Sequence, residues 1–217
     1  MSQPQLPFDE ELQRFRARTA NERGRYRALV LLGTGQTTTA ALLIGALEPE
    51  RVAILLTERT RSKGFVEEVA QILHTSAAPW LVPDGNYETA DAVYRGLKYV
   101  LDQWHASWPD LDRRTIAADV TGGFATMSVG LAKAAHVLRL KTVYVRSDYA
   151  DIGGRSQPVP GTQQLEFPPD PYAVFGDLEA AEAQRLYAAH DYAGAERIFA
   201  DLEQRVPGGP DAHRYAG

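Results

Sequence analysis

One pattern repeats along the chain. A short apolar run of strand length ends in a polar turn rich in glycine or hydroxyls, and an apolar stretch at helical spacing follows. Ala28–Leu32 runs into Gly33-Thr34-Gly35-Gln36-Thr37-Thr38-Thr39, then into a helix over 40–47 whose small residues suit packing on a sheet. Residues 52–56 form a second run, closed by Thr57-Glu58-Arg59-Thr60-Arg61-Ser62 before a helix over 64–73. A weaker third strand is expected over 80–82, ahead of Pro83-Asp84-Gly85-Asn86, and the longest amphipathic helix over 89–104. A fourth strand ends in Asp119-Val120-Thr121-Gly122-Gly123 and leads into a helix over 127–138. Residues 142–145 read as a fifth strand and 163–167 as an edge strand.

This alternation predicts an α/β fold, a Rossmann-like open, mostly parallel sheet with helices on both faces. Residues 1–26 form a lead-in, with Phe8, Leu12 and Phe15 spaced as one short amphipathic helix, and residues 27–168 form the sheet domain. Pro168-Pro169-Asp170-Pro171 breaks the pattern, so residues 169–217 are expected to be a linker and a helical hairpin turning near His190-Asp191. The spacing from Tyr192 to Phe199, with Pro207 beyond, resembles one tetratricopeptide-like helix pair, which cannot bury its own face alone.

Ligands of open parallel sheets bind outside the carboxyl ends of the strands. The turns at 33–39, 57–62, 84–86, 119–123 and 146–149 all follow strands and are expected to line one rim. In the fourth turn, Gly122 and Gly123 let backbone approach a ligand without Cβ interference, and the helix N-terminus after Phe124 favours an anion. The first turn is glycine- and hydroxyl-rich where a phosphate loop would sit. It has no Lys-Ser/Thr pair, and Thr38 takes the third glycine position of a dinucleotide fingerprint, so ATP and NAD are poor candidates. Read alone, it serves equally as a strand-to-helix turn with a Thr cap. Three consecutive threonines are poor helix formers, yet they supply hydroxyls for phosphate or ribose oxygens. Arg59 and Arg61 offer donor forks, Asn86 offers donors and acceptors to a base edge, and Arg146 faces the rim or a partner.

Composition narrows the partners. With 217 residues, 44% of them hydrophobic, the chain can bury one sizeable core with something left over. The absence of cysteine excludes disulfides, thiolate zinc sites and a cysteine nucleophile, and suits a reducing cytoplasm. A net charge of −5 argues against duplex nucleic acid but not against a small anion in a local pocket. The first twenty residues are no signal peptide, and no apolar run reaches the length of a membrane span. The five histidines form no metal constellation, so neither metal nor cofactor is expected. Arg185 and His190 reproduce the Arg-x-x-x-x-His spacing of metal-independent ribonucleases, a pattern easily met by chance.

The residues Asp119-Val120-Thr121-Gly122-Gly123 with Met127-Ser128, the Gly/Thr-rich first turn, the Pro171–178 segment and the Asp191-Tyr192-Ala193-Gly194-Ala195 hairpin together resemble a known group. They are similar to the CRISPR-associated Rossmann-fold (CARF) domains of type III CRISPR ancillary proteins, and to the segment after that domain in the Csm-type dimeric ribonucleases. The resemblance covers residues 27 to about 206. It implies a homodimer whose two rims form one pocket for cyclic oligoadenylate. Thr37, Thr38 and Thr39 would meet the ligand from the first turn, with Gly33, Gly35 and Gln36 beside them. Gly122, Gly123 and Phe124 would meet it from the fourth, with Thr121, Thr126 and Met127. Thr57, Arg59, Asn86 and Arg146 complete the expected set.

Two departures stand out. The family pattern continues from the glycine pair with Thr-Lys, whereas Phe124-Ala125 stand here, removing a phosphate-facing cation. The chain also stops soon after the hairpin, before a ribonuclease domain would begin, so an effector domain is expected elsewhere or the protein stands alone. Three functions follow: a cyclic tetra- or hexa-adenylate sensor; a metal-independent ring nuclease in which Thr37 and Thr38 position the ribose for in-line attack; or an unrelated α/β nucleotide-binding protein. The sensor is the favoured expectation.

Overall fold

The first strand, β1 (Ala28–Leu32), is apolar and buried at all five positions, as a strand covered on both faces must be. The computed structural model describes residues 6–33, 35–152, 154–168 and 176–205, which divide into two units at Pro168. In the first unit, α1 (Phe8–Arg18) precedes β1, and α2 (Thr37–Leu47) leads to β2 (Arg51–Leu55). Then come α3 (Glu58–Ser62), α4 (Phe65–Ile72), α5 (Ala90–Ser107) and β3 (Ile116–Asp119). They are followed by α6 (Ala125–Leu138), β4 (Lys141–Arg146), β5 (Tyr149–Ile152), β6 (Arg155–Pro158) and β7 (Gln164–Glu166).

The main sheet has the order β2-β1-β3-β4-β7, parallel except for the antiparallel edge strand β7, which is the fold class the alternation predicts. Side chains alternate between two cores at period two. Leu29, Leu31, Ile54 and Val143 pack with α1, α2 and α4 on one face. Ala28, Val30, Leu55 and Ala118 pack with α5 and α6 on the other. The crossing of α5 and α6 depends on a small residue, since a Cβ at Gly130 would lie 2.6 Å from Ala90 Cα.

The elements differ from expectation in four places. The threonines of the first turn belong to α2 itself, because burial of its apolar positions outweighs their low propensity. The strand expected over 80–82 is a single parallel bridge between Leu81 and Ala53. Helix α3 is too short to show a periodicity, and the β5–β6 hairpin lacks an alternating apolar pattern. The lead-in helix α1 is fixed to the sheet domain: Arg18 donates to Gln163 O at 2.9 Å and Gly161 O at 2.7 Å.

The second unit is a helical pair, α7 (Asp177–Ala188) and α8 (Tyr192–Arg205), with Ala183, Ala195 and Leu202 buried between them. His190 sits at their turn in the left-handed region, φ 65°. The residues at 171–175 and 206–217 lie outside the described residues.

Candidate ligand-binding site

Because β1, β2 and β3 run parallel in register, their carboxyl ends lie side by side and the turns leaving them meet. Gly33, Gly35, Gln36 and Thr37 come from the first turn. Thr57, Arg59, Thr60 and Lys63 come from the second, and Thr121, Gly122, Gly123 and Phe124 from the third. Together with Met127, Glu68 and Tyr149 they enclose a cleft of about 650 Å3.

Each turn is held by its own chemistry. Gly33 N donates to Leu55 O at 2.8 Å, and a Cβ there would fall 2.2 Å from Leu56 Cδ2, so the glycine is set by packing. Thr37 is buried, and its hydroxyl donates to Glu68 Oε1 at 2.7 Å. Thr57 and Thr60 form a reciprocal capping box that starts α3. In the third turn Asp119 is buried and accepts from Thr121 N at 2.9 Å and from the Thr121 hydroxyl. That hydroxyl in turn accepts from Val145 N at 2.7 Å, tying the turn to β4. Burial pushes the Asp119 carboxyl up to about 6, against the opposing pull of the two Thr121 hydrogen bonds. Gly123 has φ 93°, a conformation that favours glycine, and Ser128 Oγ donates to Gly122 O at 2.6 Å.

The electrostatics favour an anion. Helices α2 and α6 both begin at the cleft, and neither N-cap residue, Gln36 or Phe124, supplies a side-chain cap. Elsewhere Thr89 caps α5 in the ordinary way. Uncapped first-turn N–H groups and the helix dipoles point positive charge at a ligand. Arg59 and Lys63 line the same space with no carboxylate partner among the described residues. Phe124 and Tyr149, 57% and 59% exposed, offer ring faces for stacking at its edge.

The other residues singled out in sequence lie elsewhere. Thr38 and Thr39 line a neighbouring cleft that shares Gly35, Gln36 and Thr37 with the first. Asn86 lies in a separate depression, where its Oδ1 accepts from Glu58 N at 3.2 Å. Arg61 donates to Pro83 O at 2.7 Å. Thr126 donates to Glu88 O at 3.1 Å, and Arg146 pairs with Glu166 at 2.9 Å and Gln164 at 3.0 Å. In the second unit Arg185 is paired with Glu182, and His190 Nδ1 meets Tyr192 OH at 2.8 Å. Sequence reasoning missed Lys63, Glu68 and Tyr144. Lys63 falls between the expected turn and the expected helix, Glu68 reads as a solvated helix position, and only the topology carries them to the cleft.

No family model matches the chain. It is 29% identical over 180 residues to the CRISPR system endoribonuclease Csm6 of Thermus thermophilus, covering 81% of this chain and 36% of that protein. The fold also matches Enterococcus italicus Csm6 bound to cyclic hexa-2′-fluoro-hexa-dAMP, with a TM-score of 0.56 and 11% identity over 88% of this chain and 53% of that one. The likeness to Csm6 in sequence and in fold agrees with the resemblance to the CARF domains of type III CRISPR ancillary proteins. It spans 36% of the length of the curated relative it matches. Among the described residues, no helix is long and apolar enough to cross a membrane, and no cluster of acids and histidines is placed to hold a metal.

Proposed function

We propose that the chain carries a CARF domain and is a sensor of cyclic oligoadenylate in type III CRISPR defence, with cyclic tetra-adenylate as its ring. The observation that carries the reading is the convergence of three strand-end turns and two uncapped helix N-termini on one cleft. The ring presents a phosphate and a ribose at each repeat. Backbone N–H groups, Arg59 and Lys63 suit those groups, and Phe124 and Tyr149 suit adenine. Csm6 of Enterococcus italicus, which shares the fold, is seen with a cyclic hexa-adenylate analogue. The ring's repeats match a twofold arrangement in which two copies of the rim each take half. Exposed Phe124 and Val129 on and beside α6 are suited to such a homodimer.

Cleavage of the ring is the second reading. Of the pair Thr37 and Thr38, Thr37 lines this cleft, where Glu68 orients its hydroxyl, while Thr38 lines the neighbouring one. Lys63 and Arg59 stand where a cation can stabilise charge developing on a phosphate, the part that Ala125 cannot play. In that reaction the ribose 2′-hydroxyl attacks the adjacent phosphorus, displaces the 5′-oxygen of the next adenylate and leaves a 2′,3′-cyclic phosphate.

Incubation with cyclic tri-, tetra- and hexa-adenylate, followed by native and product mass spectrometry, tests both readings. The sensor reading expects a complex of two chains with one intact ring. Linear products establish the nuclease. Absence of binding to every ring overturns both.

A further inference from the structure

The hairpin β5–β6 carries Tyr149 to the edge of the cleft, yet among the described residues its strands pair only with each other. A lone two-stranded hairpin is marginally stable, so its direction is set by whatever holds its base. That hold comes from Thr162, in the loop before β7. Its hydroxyl accepts from Asp148 N at 3.1 Å, one residue before β5, and donates to Val159 O at 2.7 Å, one residue after β6. Val159 N closes the base by donating to Asp148 O at 2.8 Å. One hydroxyl thus joins both ends of the hairpin to a single loop position.

The loop is in turn held by α1. The Arg18 guanidinium donates to Gly161 O at 2.7 Å and to Gln163 O at 2.9 Å, so it holds the carbonyls on either side of Thr162. Buried Glu11, about two turns earlier on the same face of α1, accepts from Gly161 N at 3.3 Å. Gly161 has φ 79°, and a Cβ there would lie 2.8 Å from Leu6 Cδ2, so the loop backbone is pressed against the segment that starts α1. Charge-assisted bonds from a planar guanidinium fix direction as well as distance. A continuous set of contacts therefore runs from Arg18 and Glu11, through the Thr162 hydroxyl, to Tyr149 at the cleft.

We propose that Thr162 and Arg18 are positioning residues for the ligand cleft, holding Tyr149 where its ring can stack on an adenine of the bound ligand. The ligand named here is that of the sensor reading, whereas the placement of Tyr149 holds with the cleft empty. Helix α1 thereby becomes part of the binding apparatus, although none of its residues lines that cleft.

Two variants of the full chain and two readouts test this. Thr162→Val keeps the shape and removes the hydroxyl, and Arg18→Lys keeps the charge but loses the fork. In ligand-free protein labelled with 3-fluorotyrosine, the Tyr149 fluorine signal, assigned by Tyr149→Phe, is expected to move in both variants. The signals of Tyr94 and Tyr99 on α5 should stay in place. Cyclic tetra-adenylate should bind about fivefold more weakly to each variant. That loss should vanish in a Tyr149→Ala background, where no aromatic ring is left to place. A Tyr149 signal unchanged in both variants overturns the proposal, as does an equal loss of affinity with and without Tyr149. Movement of all tyrosine signals alike, the mark of a general loosening, also overturns it. If wild type binds no cyclic tetra-adenylate, the sensor reading falls, and the fluorine signals alone decide whether Thr162 and Arg18 place Tyr149.

Discussion

Thr37 donates its hydroxyl to Glu68 at 2.7 Å, joining the first residue of α2 to α4 across the wall of an otherwise anion-favouring cleft. The carboxylate holds the threonine in place but repels a phosphate. Glu68→Gln keeps a carbonyl acceptor for Thr37 and removes the charge. The variant is expected to bind cyclic tetra-adenylate about threefold to tenfold more tightly, with the gain shrinking as salt is added. Equilibrium titration at two ionic strengths measures this.

Lys63 makes the opposite contribution. It lies at the end of α3, in the cleft, with no carboxylate partner among the described residues. Lys63→Ala is expected to weaken ring binding about tenfold and to flatten its salt dependence, leaving unfolding by urea unchanged. Arg146→Ala is the matched control, because Arg146 is engaged by Glu166 and Gln164 and should leave affinity near wild type.

Asp119 gives a pH signature. Its carboxyl is raised from the ordinary 3.8 to about 6, so between these values the folded state binds more protons than the unfolded one. Stability from this group is therefore fully present below pH 4 and is lost as pH rises through 6, by about 3 kcal/mol in all. Asp119→Asn keeps an oxygen for the Thr121 N–H and hydroxyl and cannot ionise. Relative to wild type, the variant should gain about that much stability between pH 4 and pH 7, as read by urea unfolding at each pH.

Gly130 tests the helix crossing that sets α6 behind the cleft. Alanine is the better helix former by about 1 kcal/mol. Its Cβ, however, would press on the Ala90 backbone at 2.6 Å. Gly130→Ala is expected to be a net destabilisation of about 1–3 kcal/mol in chemical unfolding.

The sheet was legible because its strands are uniformly apolar and their turns are rich in glycine and threonine: β1 lies at the expected residues, and β3 and β4 within one residue of them. The cleft was legible only where it is built from strand ends. Gly33, Thr57, Thr121 and Gly122 could be placed on one rim by topology alone. Lys63 and Glu68 could not: Lys63 closes α3, a helix too short to show in the pattern, and Glu68 reads as a solvated helix position that only the packing of α4 against α2 brings in. Asn86 and Arg146 show the converse. Both follow a strand or a turn, yet neighbouring groups, Glu58 N and Glu166, hold them outside the cleft.

Gly35 offers the most direct test of the central claim. It lines the cleft, and a Cβ added there meets nothing within 4 Å, so a larger side chain can fill the rim without disturbing the fold. Cyclic tetra-adenylate should be titrated in parallel into wild type and Gly35→Phe, with thermal unfolding of both. The account predicts tight binding to wild type and at least a hundredfold loss in the variant, about 3 kcal/mol, at an unchanged Tm. Equal binding by the two proteins, or none by the wild type, would contradict it.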